Sequence, residues 1–226
     1  MKMMIIKEVL RCDQGKMNYG VAHPENYEGL PLLVYLHGAG ERGEKLDHVY
    51  LHAIPKLLKE GREFPAVVLY PQCPGPFIWN NMVKELKELI DLVAAEYGIE
   101  KDRIMLTGSS MGGYGTWETA MCYPEYFAAI APVAGGGVAW RALKLRKMPI
   151  KTYHGSVDTV VTPLQSEIMV EAVHNSGGKA ELVYLEGLGH NDGIDEAYRN
   201  TDLIEWLLSH RRTDFSHIPE LCEEMF

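Results

Sequence analysis

From residue 31 onward the chain alternates short apolar runs rich in β-branched residues with longer stretches whose apolar positions recur every three or four residues. Continuous apolar runs suit strands buried on both faces, and a 3.6-residue period suits helices laid over them. The pattern therefore predicts an α/β fold, with a mostly parallel central sheet flanked by helices. The predicted strands are residues 32–36, 66–70, 103–107, 128–133, 150–153 and 180–185. Two further runs, 4–9 and 17–22, lie in the less regular first 30 residues and read as antiparallel strands leading into the sheet.

The clearest helical pattern covers 81–97. Met82, Leu86, Leu89, Ile90, Val93 and Tyr97 share one face, Lys84, Glu85, Lys87 and Glu88 are assigned to water, and Gly98 supplies a left-handed cap. Another helix is expected from Thr162 to about His174, with the Thr162 hydroxyl as cap, Pro163 at the first position and Gln165 completing a capping box. Weaker patterns predict helices over 49–60, 111–122 and 195–209, and residues 211–226 read as a tail. With no internal repeat, 226 residues are expected to form a single domain.

Chemistry is concentrated where strands end. The run Arg103-Ile-Met-Leu-Thr-Gly108-Ser-Ser110-Met-Gly112-Gly113 is an apolar strand entering GxSxG and then a helical pattern. A serine on such a strand-to-helix turn is held in a strained conformation, and glycines two places either side let the chain pack closely enough to permit it. Ser110 is therefore the candidate nucleophile, ahead of Ser109, and the Met111 amide a candidate oxyanion donor. A hydroxyl needs a base to take its proton and a carboxylate to orient that base. His154-Gly-Ser-Val-Asp158 follows one predicted strand and Gly187-Leu-Gly-His190 follows the next, so Asp158 and His190 complete a catalytic set at one sheet edge.

After the first of the apolar strands comes His37-Gly38-Ala39-Gly40-Glu41-Arg42-Gly43, whose HG turn offers the Ala39 amide as the second oxyanion donor. The same glycines match GxGxxG. A dinucleotide site would also need an acidic residue at the end of the next strand, where Tyr70-Pro71-Gln72 stands instead, so no cofactor is expected. His48 and His52 lack the glutamate of HExxH, so no metal is assigned, and Gly135-Gly136-Gly137 lacks the lysine of a phosphate loop and reads as a flexible turn. His37, Gly38, Trp79 and Trp140 are candidate pocket residues; Glu41 and Arg42 are read as an ion pair shaping the loop.

Composition narrows the partners. A net charge of −9, with no run of Lys or Arg, gives no footprint for nucleic acid. No apolar stretch approaches membrane-spanning length, and Cys12, Cys73, Cys122 and Cys222 are spaced like free thiols, so a cytoplasmic setting without membrane attachment is expected; the pattern fixes no oligomeric state.

With YLHGAGERG, PQCP followed by Trp79, RIMLTGSSMGGYGTW, HGSVD and GLGH in this order, the chain resembles the compact esterase and predicted-peptidase group of α/β-hydrolases. That group is related to the prolyl-oligopeptidase catalytic domain and to feruloyl- and acetyl-esterase-like enzymes. The resemblance spans about residues 31–210 and implies a carboxylesterase acting on small soluble acyl or aryl esters, with Ser110, Asp158, His190 and the Ala39 and Met111 amides in the roles above. Neither the extra domain of the oligopeptidases nor the lid of the lipases is expected in 226 residues. A peptidase or amidase using the same residues and a non-catalytic ligand-binding homologue are the alternatives.

Overall fold

The computed structural model describes residues 3–12 and 15–218. Its eight strands are β1 (Met3–Cys12), β2 (Gly15–Pro24), β3 (Leu32–Leu36), β4 (Val67–Gln72), β5 (Ile104–Ser109), β6 (Ala129–Val133), β7 (Ile150–Gly155) and β8 (Ala180–Leu185). They form one sheet in the order β1-β2-β4-β3-β5-β6-β7-β8. β1 and β2 pair antiparallel, β2 joins β4 antiparallel, and every neighbour from β4 to β8 is parallel. The central strands β3 to β7 are buried along their whole length, as their continuous apolar runs require.

Among the described residues, six α-helices cover the sheet: α1 (Ala53–Lys59), α2 (Val83–Glu96), α3 (Met111–Cys122), α4 (Leu164–Asn175), α5 (His190–Asn200) and α6 (Leu203–Leu208). Two apolar cores result. One holds Leu86, Leu89, Ile90 and Val93 of α2 with Trp117 of α3 against Val34, Leu36, Leu69 and Leu106 of the sheet. The other holds Ile54 and Leu57 of α1 with Ile194, Tyr198 and Ile204 against Tyr35, Val68, Met105 and Tyr153. Alternate residues of one strand thus face opposite cores.

Several predicted details give way to tertiary packing. Glu85, assigned to water, is buried. The span 49–60 divides into a 3-10 turn, Leu46–Leu51, and α1, because the backbone is extended at His52 and takes a positive φ of 49° at Ala53, where α1 begins. His48 and His52 consequently do not share a helix face. The span 195–209 divides at the extended backbone of Thr201 into α5 and α6, and α5 starts five residues early. At α4 the cap is Pro163 without any side-chain bond: Thr162 contributes its carbonyl to the Gln165 N–H at 3.0 Å, so no capping box forms. Gly98 does close α2 in the left-handed region, and the Ile99 N–H reaches back to the Ala94 carbonyl at 2.8 Å.

Beyond α6 the chain runs along the edge of the sheet opposite to Ser110. There the Arg212 N–H meets the Asp102 carbonyl and its guanidinium donates to the carbonyls of Pro124 and Phe127. Residues 219–226, with Cys222, lie outside the described residues. No helix among the described residues is long and apolar enough to cross a membrane.

Candidate active site

β5 ends at Ser109 and α3 begins at Met111, leaving Ser110 alone on the turn at φ 55° and ψ −119°. Such a conformation is costly for a residue with a side chain and persists only where the surroundings dictate it. Here they do. The Ser110 N–H is bound by the Val133 carbonyl of β6 at 2.9 Å, and its own carbonyl receives the Tyr114 N–H at 3.1 Å. A methyl group on Gly112 would overlap the Leu36 carbonyl, and one on Gly108 would overlap the Gly112 carbonyl, so both glycines of GxSxG are sterically required. Ser109 is buried, with its hydroxyl bonded to Tyr35 at 2.9 Å, whereas Ser110 is partly open to solvent.

Asp158 and His190 arrive from adjacent loops that are tied to each other. The Ser156 N–H meets the Leu185 carbonyl at 3.1 Å, the Val157 N–H meets that of Leu188 at 3.2 Å, and the Gly187 N–H meets the Ser156 hydroxyl at 2.9 Å. Gly155 makes this docking possible, because any side chain there would run into the carbonyls of Leu188 and Gly189. The result is a continuous relay: His190 Nε2 lies 2.9 Å from Ser110 Oγ, and His190 Nδ1 lies 2.6 Å from Asp158 Oδ2. The carboxylate contact calls for the proton on Nδ1, which leaves Nε2 as the acceptor for the serine proton.

Asp158 is itself held. Its Oδ1 accepts the N–H groups of Val160 and Val161 at 2.8 and 3.0 Å. His154, fully buried, places Nε2 2.8 Å from the Val161 carbonyl and Nδ1 2.8 Å from the Ser166 hydroxyl, fastening the Asp158 turn to α4. Burial lowers the His154 pKa, so the ring is kept neutral although Nε2 is also 3.4 Å from Asp158 Oδ2. His154 is thus structural, tying the Asp158 turn to the helix behind it.

The loop after β3 is equally fixed. The His37 Nδ1–H donates to the Gly38 carbonyl at 2.6 Å while Nε2 accepts the Cys73 N–H at 2.9 Å. Burial drives the His37 pKa down to about 4, which suits a ring that must donate from one nitrogen and accept at the other. A short 3-10 turn, Ala39–Glu41, follows. Its Gly38 N–H is capped by Glu41 Oε2 at 2.8 Å. Ala39 and Met111 each stand first in a helix, where an N–H has no acceptor within the helix.

A cavity of about 330 Å³ opens onto this edge, lined by Gly38 to Glu41, Leu51, His52, Ser109, Ser110, Val160, His190, Asn191 and Ile194. Of the four pocket candidates only Gly38 lines it. Trp79 is fully buried instead, its Nε1–H bonded to the His37 carbonyl at 2.9 Å and its Cβ pressed against Gly115. His37 is likewise behind the wall, and Trp140 stands 71% exposed on the 3-10 helix Ala139–Leu145, outside this lining. Glu41 and Arg42 form no ion pair: Arg42 donates to the carbonyls of Ala39 and Phe77, and Glu41 points inward. Val160, Asn191 and Ile194 were traceable in principle, lying two residues beyond Asp158 and one and four beyond His190. Leu51 and His52 reach the cavity only through the packing of α1, for which no local sequence signal exists. No group of three or more metal-ligating side chains occurs among the described residues.

Comparison with known proteins gives a consistent picture. A model of the phospholipase/carboxylesterase family matches residues 78–199. The chain is 30% identical over 142 residues to a bifunctional acetylxylan esterase/xylanase of Neocallimastix patriciarum, covering 61% of this chain and 20% of that protein. It is 30% identical over 193 residues to poly(3-hydroxyalkanoate) depolymerase C of Paucimonas lemoignei, covering 66% and 45%. This chain therefore spans less than half the length of either. Among solved structures, a thermostable esterase superposes with a TM-score of 0.78 at 30% identity, covering 92% of this chain and 63% of that one.

Proposed function

Starting from the premise that the chain belongs to the phospholipase/carboxylesterase family and has the α/β-hydrolase fold, we propose that it is a serine carboxylesterase hydrolysing small soluble acyl or aryl esters through an acyl-enzyme on Ser110. The observation that carries this reading is the relay from Asp158 through His190 to Ser110, with contacts of 2.6 and 2.9 Å.

Ser110 Oγ attacks the ester carbonyl as His190 Nε2 takes its proton, and Asp158 stabilises the imidazolium that forms. The carbonyl oxygen becomes an oxyanion that accepts hydrogen bonds from the Ala39 and Met111 amides, with the start of α3 adding the positive end of its dipole. The tetrahedral intermediate collapses as His190 returns the proton to the departing alcohol. Water then attacks the acyl-serine with the same histidine as base, releasing the carboxylic acid and restoring the serine. No cofactor enters the cycle.

A cavity of about 330 Å³ supports substrates of modest size. Openness is supported by the short connection after β6, five residues before the 3-10 helix Ala139–Leu145, too short for a helical lid. Cys73 and Cys122 are free thiols, which supports a reducing compartment such as the cytoplasm. The test is labelling with a fluorophosphonate, followed by a panel of esters varying in acyl length and aromatic acid. The expected result is one adduct on Ser110 and turnover of short esters, with Ser110→Ala lowering kcat by roughly 10⁴-fold or more. Folded protein that takes up no label and hydrolyses none of the panel would refute the assignment.

A further inference from the structure

Glu41 is the one carboxyl group that shares the wall of the cavity with both Ser110 and His190 among the lining residues described. It is 3% exposed, and its two oxygens are used unequally. Oε2 accepts the Gly38 N–H at 2.8 Å, whereas Oε1 is buried without any hydrogen-bond partner. A carboxylate has about four lone-pair directions to satisfy, and burying one with a single donor is expensive. A neutral carboxylic acid fits better: its carbonyl oxygen takes the Gly38 N–H and its proton sits on the otherwise unpartnered oxygen.

The surroundings offer no cation to favour the charged form. At the end of β3, Tyr35 is bonded to Ser109, and His37 Nδ1, 3.9 Å from Oε2, already donates to the Gly38 carbonyl. On α5, Tyr198 is bonded to Thr107, and Asp195 is an anion whose repulsion adds to the effect. At the start of α1, His52 Nδ1 and Lys56 both face Asp195. On its own turn, Arg42 is engaged with Ala39 and Phe77. Burial, followed by Asp195, outweighs the Gly38 N–H and raises the Glu41 pKa to about 8.

Position makes that proton consequential. A methyl group placed on Gly38 would lie 3.2 Å from Glu41 Oε2 and 3.7 Å from Ser110 Cβ, so only a missing side chain separates the carboxyl from the nucleophile. The Ala39 amide is the next group along the same turn. We propose that Glu41 is a positioning residue for the oxyanion turn that serves only as the neutral acid, and that its ionisation switches ester hydrolysis off on the alkaline side. Loss of the proton to solvent would put a negative charge beside the site where the oxyanion forms. It would also favour Glu41 swinging toward water and pulling the Gly38 cap with it.

This inference rests on the esterase reading, and the experiment separates the two. kcat/KM for a short ester, corrected for spontaneous hydrolysis, is measured from about pH 6 to about pH 9.5 in wild type and Glu41→Gln. Glutamine keeps an acceptor for Gly38 and cannot ionise. Wild type is expected to lose roughly 30-fold between pH 7 and 9.5 along a single ionisation, while Glu41→Gln stays level whatever its plateau. A wild-type profile without that loss, or the same loss in the variant, would overturn the proposal. Infrared difference spectra of the wild type serve if the variant does not fold: a protonated-carboxyl stretch is expected to persist at pH 7 and vanish by about pH 9.5, and its absence at pH 7 would overturn the proposal too. Failure of the esterase reading itself shows differently, as a Ser110 that takes no fluorophosphonate.

Discussion

At the scale of single residues, the site depends on atoms that have two obligations each. Asp158 is the clearest case: Oδ1 holds two backbone N–H groups and Oδ2 holds His190. An asparagine there can meet one set with its oxygen but must turn its NH2 toward the other, where donors already point. Asp158→Asn is therefore expected to lower kcat by roughly 10³- to 10⁴-fold through a misoriented or wrongly protonated His190, with KM nearly unchanged. A loss below tenfold in steady-state assays would mean that the carboxylate does not orient the base. That Ser110, Asp158 and His190 meet at one sheet edge was legible in the sequence because each follows an apolar strand within a distinctive turn. Glu41 was visible only as a charged letter beside Arg42, since nothing local distinguishes a carboxyl turned inward from one paired at the surface. Trp79 and Trp140 show the same limit: a loop position does not say whether an indole points inward, and here one does and the other does not.

At the scale of elements, strands were read well because burial on both faces writes itself as an uninterrupted apolar run. Helix ends were read less well, because they depend on backbone dihedrals and tertiary contacts, as at Ala53, Thr162 and Thr201. What brings the Asp158 and His190 loops together is also an element-level contact, the seating of the β8–α5 loop on the end of β7 at Gly155. Gly155→Ala sets a methyl group against two backbone carbonyls, which no rotamer change relieves. The loop must shift, and an ångström of misplacement in a positioned base costs about 10²-fold in rate. The expected outcome is a fall in kcat of about that size while far-UV circular dichroism keeps the signature of the intact sheet. Unaltered kcat would show that the loop has slack the close packing does not suggest.

At the scale of the whole molecule, the turn from His37 to Glu41 concentrates two buried ionisable groups that resist charging in opposite directions, and stability against pH should reveal them. His37 is held near a pKa of about 4 against an ordinary 6.5. The unfolded chain thus binds a proton that the folded one refuses, and stability falls as pH drops from 6.5 toward 4. Glu41 is raised to about 8 from 4.5, so the folded chain keeps a proton that the unfolded one releases. Its contribution is complete below 4.5 and is lost as pH rises toward 8. Between 4.5 and 6.5 the two slopes offset each other; between 6.5 and 8 only Glu41 acts. His154, shifted the same way as His37, steepens the acid side without altering the alkaline one. The difference in Tm between Glu41→Gln and wild type isolates one of these terms from all the other titrating groups. It is expected to move in favour of the variant as pH is raised from about 5 to about 8, then level off. A difference that stays flat across that range in calorimetry would mean that Glu41 is charged in the folded protein, and that the turn from His37 to Glu41 tolerates at neutral pH the negative charge its geometry argues against.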